Sequence, residues 1–208
     1  MRLLITAGPT REYLDDVRFL SNASSGRMGY ALAEAAARRG HDVILVSGPV
    51  ALAPPEGVEY VSVETADEML QACLTALPRA DGVIGVAAVC DYRLANRQPG
   101  KIKKTGGPLR LDFVETPDVL AELARRKGGR WVLGFALETT EDRAAALEKL
   151  RSKHCDWIVL NRAEAIGSEA TAIEVLDAAG RTVLDSRGAK TVVADRLVAW
   201  IESAAASR

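Results

Sequence analysis

The sequence predicts a three-layer α/β/α fold, a doubly wound and mostly parallel sheet with helices on both faces. Three observations lead there. Short apolar runs recur along the chain (Leu3–Thr6, Asp42–Ser47, Gly82–Val89, Trp131–Ala136, Trp157–Asn161), and continuous apolar runs are what strands buried on both faces require. Segments of helical period separate the runs, which makes parallel crossover units the default. Several runs end in small, polar, glycine-punctuated clusters, at the carboxyl edge where ligands of open α/β sheets bind.

Composition sets the frame. The 208 residues are 48% hydrophobic and 26% charged, as in a globular domain, and one domain spanning 1–208 is expected. A net charge of −1 argues against a broad nucleic-acid or anionic-membrane surface. Cys73, Cys90 and Cys155 are far apart with no CxxC, so reduced thiols are expected rather than a zinc site. The N-terminal Leu3-Leu4-Ile5 is too short for a signal peptide's apolar region, and no run reaches the ~18 residues of a membrane span. These features predict a cytoplasmic protein.

In order along the chain, Leu3–Thr6 forms a buried strand ended by Ala7-Gly8-Pro9-Thr10, which puts Gly8 at its carboxyl end. Thr10 to Phe19 is polar and mixed and reads as a loop or short helix. Ser21-Asn22-Ala23-Ser24-Ser25-Gly26-Arg27-Met28-Gly29-Tyr30 follows, then an alanine-rich helix to about Arg39. In that stretch the serines and Asn22 supply cap oxygens, and Gly26 and Gly29 let a ligand approach the backbone. A helix N-terminus there suits phosphate. Asp42–Ser47 is a second buried strand, Glu59–Val63 a short one, and Thr65 with Glu68 forms a capping box for the helix to Leu77. Gly82–Val89 is a third buried strand, ending in Cys90-Asp91-Tyr92-Arg93. Residues 94–108 carry Lys101, Lys103 and Lys104 among glycines and read as a flexible basic flap. Leu109–Val114 alternates as a strand, and Thr116-Pro117-Asp118 starts a helix with Thr as N-cap and Pro at N1. Trp131–Ala136 is a strand, closed by Leu137-Glu138-Thr139-Thr140. The helix after it runs to about Lys153 and places Lys149 and Lys153 on one side. Trp157–Asn161, a small C-terminal hairpin over Thr171–Leu184 and a closing helix from about Ala189 to Ala204 complete the chain.

His41 reads as a surface residue and His154 as a helix C-terminal one. Neither joins a nucleophile or metal constellation. Asp91 follows a strand that ends at the same edge as Gly8 and Ser25. A carboxylate near phosphates is costly unless it holds a cation or a sugar hydroxyl, and Mg²⁺ bridged by a triphosphate is the usual solution. The flap lysines suit charge developing in phosphoryl or adenylyl-type transfer. Asn22 donates and accepts but is no general base. The residues alone thus support a nucleotide or phosphorylated-substrate site with a basic lid.

Several stretches then resemble one family: Ile5-Thr6-Ala7-Gly8-Pro9-Thr10-Arg11-Glu12, Val17-Arg18-Phe19-Leu20-Ser21-Asn22-Ala23-Ser24-Ser25-Gly26-Arg27-Met28-Gly29, Ala87-Ala88-Val89-Cys90-Asp91-Tyr92-Arg93, Lys101-Ile102-Lys103-Lys104, Thr116-Pro117-Asp118, Gly134-Phe135-Ala136-Leu137-Glu138-Thr139 and Asn161. In order and spacing they resemble the phosphopantothenoylcysteine synthetases (phosphopantothenate–cysteine ligases), the second half of bifunctional bacterial coenzyme A biosynthesis proteins. The resemblance implies activation of 4′-phosphopantothenate by CTP to an acyl-cytidylate with release of pyrophosphate. Attack by cysteine then gives 4′-phosphopantothenoylcysteine and CMP. It implies Asn22 and Lys101 as catalytic residues, Arg18 and Asn22 on the acyl substrate, and Gly8, Ser24, Ser25, Gly26, Gly29, Ala87, Ala88, Asp91, Lys101, Pro117, Asp118, Val119, Phe135, Lys149 and Lys153 on the nucleotide. Asp91 would also hold Mg²⁺. A homodimer and association with a phosphopantothenoylcysteine decarboxylase flavoprotein are further implications, with no nucleic-acid or membrane partner. Departures from the family pattern are Cys90 for Ala, Thr116 for Asn, Arg27 for Lys and Arg162 for Asp. No flavin-binding half precedes Met1, so a standalone synthetase and an excised domain both stay open.

Two other readings compete. Gly26 to Ser47 mimics the dinucleotide-binding unit of a Rossmann-like, nicotinamide-dependent oxidoreductase, but Val46-Ser47-Gly48 lacks the acidic residue that binds ribose and no Tyr-x-x-x-Lys pair is present. A non-catalytic nucleotide-binding module would not need both Asn22 and Lys101.

Overall fold

The computed structural model describes residues 1–138, 143–162 and 169–207. Strand β1 (Arg2–Ala7) leads into a two-stranded antiparallel ribbon, β2 (Arg11–Tyr13) and β3 (Phe19–Ser21). Helix α1 (Arg27–Arg38), β4 (Asp42–Ser47), β5 (Glu59–Ser62), α2 (Ala66–Ala76) and β6 (Gly82–Gly85) follow. A second ribbon pairs β7 (Tyr92–Leu94) with β8 (Phe113–Glu115). Next come α3 (Val119–Arg125), β9 (Trp131–Glu138), α4 (Arg143–Ser152) and β10 (Trp157–Arg162). The chain ends in the hairpin β11 (Ala170–Asp177) and β12 (Thr182–Ala189), then α5 (Lys190–Ala206).

Among the described residues, eight strands form one sheet in the order β12-β11-β10-β9-β6-β1-β4-β5. From β5 to β10 every pairing is parallel, and the hairpin adds two antiparallel edge strands. The chain winds outward from β1 through β4 and β5, then returns to the other side of β1 as β6. The winding direction therefore reverses between β1 and β6, and a crevice opens there.

The centre of the sheet explains its sequence. Leu3, Leu4 and Ile5 are fully buried. Leu3 and Ile5 pack with α1 and α5, while Leu4 packs with α2 and the residues of α3 and α4 behind it. Each such side chain contributes about 2 kcal/mol on burial, and alternation feeds both helical layers from one uninterrupted apolar run. The three-layer α/β/α arrangement is as the sequence predicts.

Local chemistry corrects several boundaries. The capping box of α2 forms, with Thr65 Oγ1 accepting from the Glu68 amide at 3.2 Å. The cap expected for α1 does not. Gly26 occupies that N-cap with φ 73° and no side-chain bond, and a Cβ there would lie 2.8 Å from Val50 Cγ1. Residues 10–19, expected as a loop or short helix, instead carry β2 and the first residue of β3 in the first ribbon. The strand expected over 82–89 ends at Gly85, and that expected over 109–114 shrinks to β8. At α3 the cap is Asp118, whose Oδ1 accepts from Ala121 N at 3.0 Å. Thr116 instead donates its hydroxyl to the Cys90 carbonyl. His41 is no surface residue: its ring, 10% exposed, sits 2.9 Å from Glu202 Oε1, beside the Arg39–Glu202 pair. The three cysteines are free thiols, as expected, and all are buried.

Gly29 fixes how closely α1 approaches the sheet, since a Cβ there would meet Ala7 Cβ at 2.6 Å and Ala7 Cα at 3.2 Å. Gly29→Val is expected to lower stability by about 3 kcal/mol, the upper range for overpacking a tight contact. The urea midpoint measures this, and an unchanged midpoint would show that α1 can back off freely.

Candidate active site

The crevice is built from backbone past the end of the β1–β6 ladder, where pairing resumes as a bridge between Pro9 and Ala88. Beyond Gly85, the Thr6 hydroxyl accepts from the amides of Val86 (3.1 Å) and Ala87 (3.2 Å). The Thr10 hydroxyl accepts from Cys90 N at 2.9 Å. Ala88 N donates to Gly8 O at 2.9 Å, and Thr10 N to Ala88 O at 3.2 Å. Both threonines are buried. Asn22 crosses to this floor and donates from Nδ2 to the carbonyls of Ala88 and Val89, each at 3.0 Å. Two carbonyl acceptors fix that end as the amide nitrogen, and Oδ1 remains as the acceptor.

Above this floor lies a cavity of about 590 Å³. Gly8, Asn22, Ser24, Ser25, Gly26 and Gly29 line it from β1 and the start of α1. Ala87, Ala88 and Asp91 come from the floor. Pro117, Asp118 and Val119 enter from the start of α3 and the two residues before it, Phe135 from β9, and Lys149 and Lys153 from α4 and its end. The cavity thus spans the sheet edge from the α1 layer to the layer of α3 and α4. Lys153 pairs with Asp118 at 3.0 Å, with side chains 27% and 45% exposed. A pair this accessible contributes under about 1 kcal/mol, so a bound anion can draw Lys153 away from it.

Arg18 and Lys101 lie outside this cavity. Arg18 Nε and Nη2 donate to Asp15 Oδ2 at 3.0 and 2.6 Å, and Nη2 also to Ile102 O at 2.7 Å. Asp15 is fully enclosed and accepts further bonds from the amides of Val17, Arg18 and Ile102. Burial pushes its pKa up, but the bonds from Arg18 and these amides outweigh it and hold the carboxyl well below the usual range. Asp16 accepts from Gly100 N at 2.8 Å and pairs with Arg97. The root of the basic segment is therefore fastened to the turn between β2 and β3, and Lys101 stands exposed at that root.

Two features escape sequence reasoning. Lys190 lines the same cavity, although only 8% exposed. Burial lowers its pKa, and the charge of Arg27 adds to that. Nothing marks this lysine among the chain's 27 basic residues. Glu12, also buried, accepts from Ala66 N at 2.8 Å and ties β2 to the start of α2. Its pKa is raised, burial being the main cause. The side chain of Arg162 and the turn at 139–140 lie outside the described residues. No group of three or more metal-ligating side chains occurs among those described. At the end of β4, Ser47 Oγ donates to Gly48 O and accepts from Tyr30, so no carboxylate waits there for a ribose.

Fold and cavity define a doubly wound α/β domain with a ligand crevice at its topological switch point. The chain belongs to the family described as the DNA/pantothenate metabolism flavoprotein C-terminal domain, which matches residues 1–204. It is 48% identical over 165 residues to the Coenzyme A biosynthesis bifunctional protein CoaBC of Escherichia coli strain K12, covering 77% of this chain and 41% of that protein. To the CoaBC of Mycobacterium tuberculosis strain H37Rv it is 40% identical over 216 residues, covering 95% and 51%. The chain thus spans about half the length of these curated relatives. A crystal structure of the C-terminal domain of CoaBC superposes with a TM-score of 0.84 at 37% identity, covering 100% of this chain and 98% of that one. No helix among the described residues is long and apolar enough to cross a membrane.

Asp15→Asn puts an amide where Arg18 and Ile102 need an acceptor. Trypsin is expected to cut at Lys101–Lys104 about tenfold faster in this variant, read by mass spectrometry. Because the carboxyl is held low, its contribution is complete above the ordinary carboxylate range of about 3.9. It is lost only as pH falls through the still lower folded-state value. Equal cleavage of variant and wild type would mean that the clamp does not restrain the segment.

Proposed function

We propose that this chain is the phosphopantothenate–cysteine ligase half of a coenzyme A biosynthesis enzyme and that it uses CTP. The observation that carries this reading is one cavity lined by Asn22, Asp91, Lys149 and Lys153, in a chain that matches the C-terminal domain of CoaBC along its whole length. In the first half-reaction a carboxylate oxygen of 4′-phosphopantothenate attacks the α-phosphorus of CTP. The bond to pyrophosphate breaks, and the acyl-cytidylate forms. In the second, the cysteine amine attacks the acyl carbon, loses its proton, and CMP leaves as the amide forms.

Each residue has a physical part in this scheme. Lys101, exposed on a rooted segment, swings toward the triphosphate and offsets charge on the leaving pyrophosphate. Lys149 and Lys153 hold nucleotide phosphate or base, and Phe135 and Val119 give the base an apolar wall. With its Nδ2 committed to the floor, Asn22 presents Oδ1 as an acceptor, which suits an N–H of the attacking amine. Arg18 acts on the acyl substrate only if its bonds to Asp15 and Ile102 loosen. Asp91, one of the carboxylates lining the cavity with Glu115 and Asp118, would hold Mg²⁺. When bound, that ion supplies charge neutralisation on the triphosphate.

The dimer belongs to the same proposal. Val17, Phe19, Leu20, Tyr92, Phe113 and Val114 are exposed, and all lie on or next to the two ribbons outside the main sheet. Apolar side chains gathered on paired ribbons suit burial against a second copy. A cytoplasmic location and a flavoprotein decarboxylase partner follow from the pathway assignment.

Pyrophosphate release that requires both phosphopantothenate and CTP, and that is faster with CTP than with ATP, is the expected result. Folded protein with Mg²⁺ and cysteine that turns over neither nucleotide would defeat the proposal. Asn22→Asp turns a carboxylate oxygen toward the Ala88 and Val89 carbonyls. It is expected to slow product formation about 100-fold while CTP affinity, measured calorimetrically, stays near wild type. Lys101→Gln is expected to slow pyrophosphate release about tenfold or more with an unchanged melting temperature. A large drop in that temperature would place Lys101 in a structural ion pair instead.

A further inference from the structure

Both ends of the Asn22 residue, backbone and side chain, are tied to one buried residue, Thr10. Ser21, the last residue of β3 and the one before Asn22, donates its hydroxyl to Thr10 O at 2.7 Å. The Cys90 thiol donates to the same oxygen at 3.4 Å, with Leu20 O at 3.6 Å. Thr10 is fully buried, and its hydroxyl accepts from the Cys90 amide. Its own amide donates to Ala88 O, the atom that also takes Asn22 Nδ2.

Asn22 is therefore located from two directions. The Ser21 hydroxyl and the Arg11–Ser21 pairing fix where its backbone leaves the first ribbon. The Ala88 and Val89 carbonyls fix where its side chain ends. Thr10 joins the two fixtures, since its carbonyl serves the first and its amide the second. Hydrogen bonds linked in this way polarise and strengthen one another where water is excluded. Asn22 itself is exposed and lines the cavity, so these bonds rather than packing orient its amide. Cys90 is 3% exposed. Burial pushes its pKa up, which keeps the thiol protonated and a donor at neutral pH. Alanine, the residue of the family pattern at position 90, makes no such bond.

We propose that Ser21 and Cys90 are positioning residues for the second half-reaction: together they hold Thr10 O and so keep Asn22 Oδ1 presented to the cavity. The reaction affected rests on the ligase reading. The orienting role rests on the hydrogen bonds themselves. Ser21 supplies the stronger hold, because a hydroxyl is a better donor than a thiol.

The test uses Ser21→Ala, Ser21→Thr, Cys90→Ala, Cys90→Ser and wild type, with the melting temperature recorded for each. In Ser21→Ala the burst of pyrophosphate from phosphopantothenate and CTP, before cysteine is added, should keep its rate within about twofold. Amide formation on adding cysteine should slow about tenfold, since small misplacements of a reacting group are costly. Ser21→Thr keeps the hydroxyl and should regain most of that rate. Cys90→Ala should slow amide formation about threefold, in keeping with a weak donor, and Cys90→Ser should not slow it. Nitrogen-15 relaxation of the Asn22 side-chain amide supplies a readout that needs no turnover. Its order parameter should fall from the rigid range in wild type to below about 0.6 in Ser21→Ala. Equal slowing of both half-reactions would mean a general loss of structure and overturns the proposal. Unchanged amide formation or an unchanged order parameter overturns it too. Wild type that turns over nothing, while its Asn22 amide loosens in Ser21→Ala, defeats the ligase reading and leaves the positioning role standing. Should Ser21→Ala fail to fold, Cys90→Ala decides, read by the same split between half-reactions and the same order parameter.

Discussion

Two threonine hydroxyls hold the crevice open. Past Gly85 the ladder between β1 and β6 breaks and resumes as a parallel bridge at Pro9 and Ala88, and a buried amide left unsatisfied costs about 1–3 kcal/mol. Thr6 satisfies two amides of this stretch and Thr10 a third. The bonds do more than balance a loss. They hold Val86 to Cys90 in an irregular path rather than a continuous strand, which presents the Ala88 and Val89 carbonyls to Asn22. Ala88 O accepts from both Thr10 N and Asn22, so the floor and the amide above it are set by one shared atom. An apolar side chain at position 6 or 10 would keep the core and lose the site.

The core and the periphery are held by different forces. The sheet and its helices depend on apolar burial that is nearly complete at Leu3, Leu4, Ile5, Leu32 and Leu133. The parts that surround the site from outside depend on buried acids. Asp15 gathers a guanidinium and three amides, and Glu12 reaches the start of α2. Such acids trade desolvation for directed bonds, which fix position more sharply than an apolar contact does. A segment fastened at its root can sample closed and open states without disturbing the core.

The elements with strong periodicity were legible in the sequence. Asp42–Ser47 and Trp131–Ala136 are unbroken apolar runs because both their faces are covered, and Thr65 with Glu68 announces its helix. The ribbons were not legible, because three-residue strands such as Arg11–Tyr13 carry no measurable period. Val86–Val89 is as apolar as any strand, and only the tertiary bonds to Thr6 and Thr10 decide that it leaves the ladder. The start of α1 shows the same limit: three serines and an asparagine look like caps, but a close approach to Val50 requires the left-handed glycine. Most residues chosen from motifs do converge on one cavity. Lys190 could not be chosen, because its burial follows from how α5 docks on α1.

The three tryptophans gather far from this chemistry. Trp131 begins β9, Trp157 begins β10, and Trp200 of α5 packs edge-on to Trp157 with ring centroids 5.2 Å apart. Trp131 lies 5.9 Å from Trp157, so the cluster occupies the amino edge of the sheet while the cavity occupies the carboxyl edge. Tryptophan emission in this molecule is therefore an optical record of whether the last helix is docked, read at the edge of the sheet opposite the crevice.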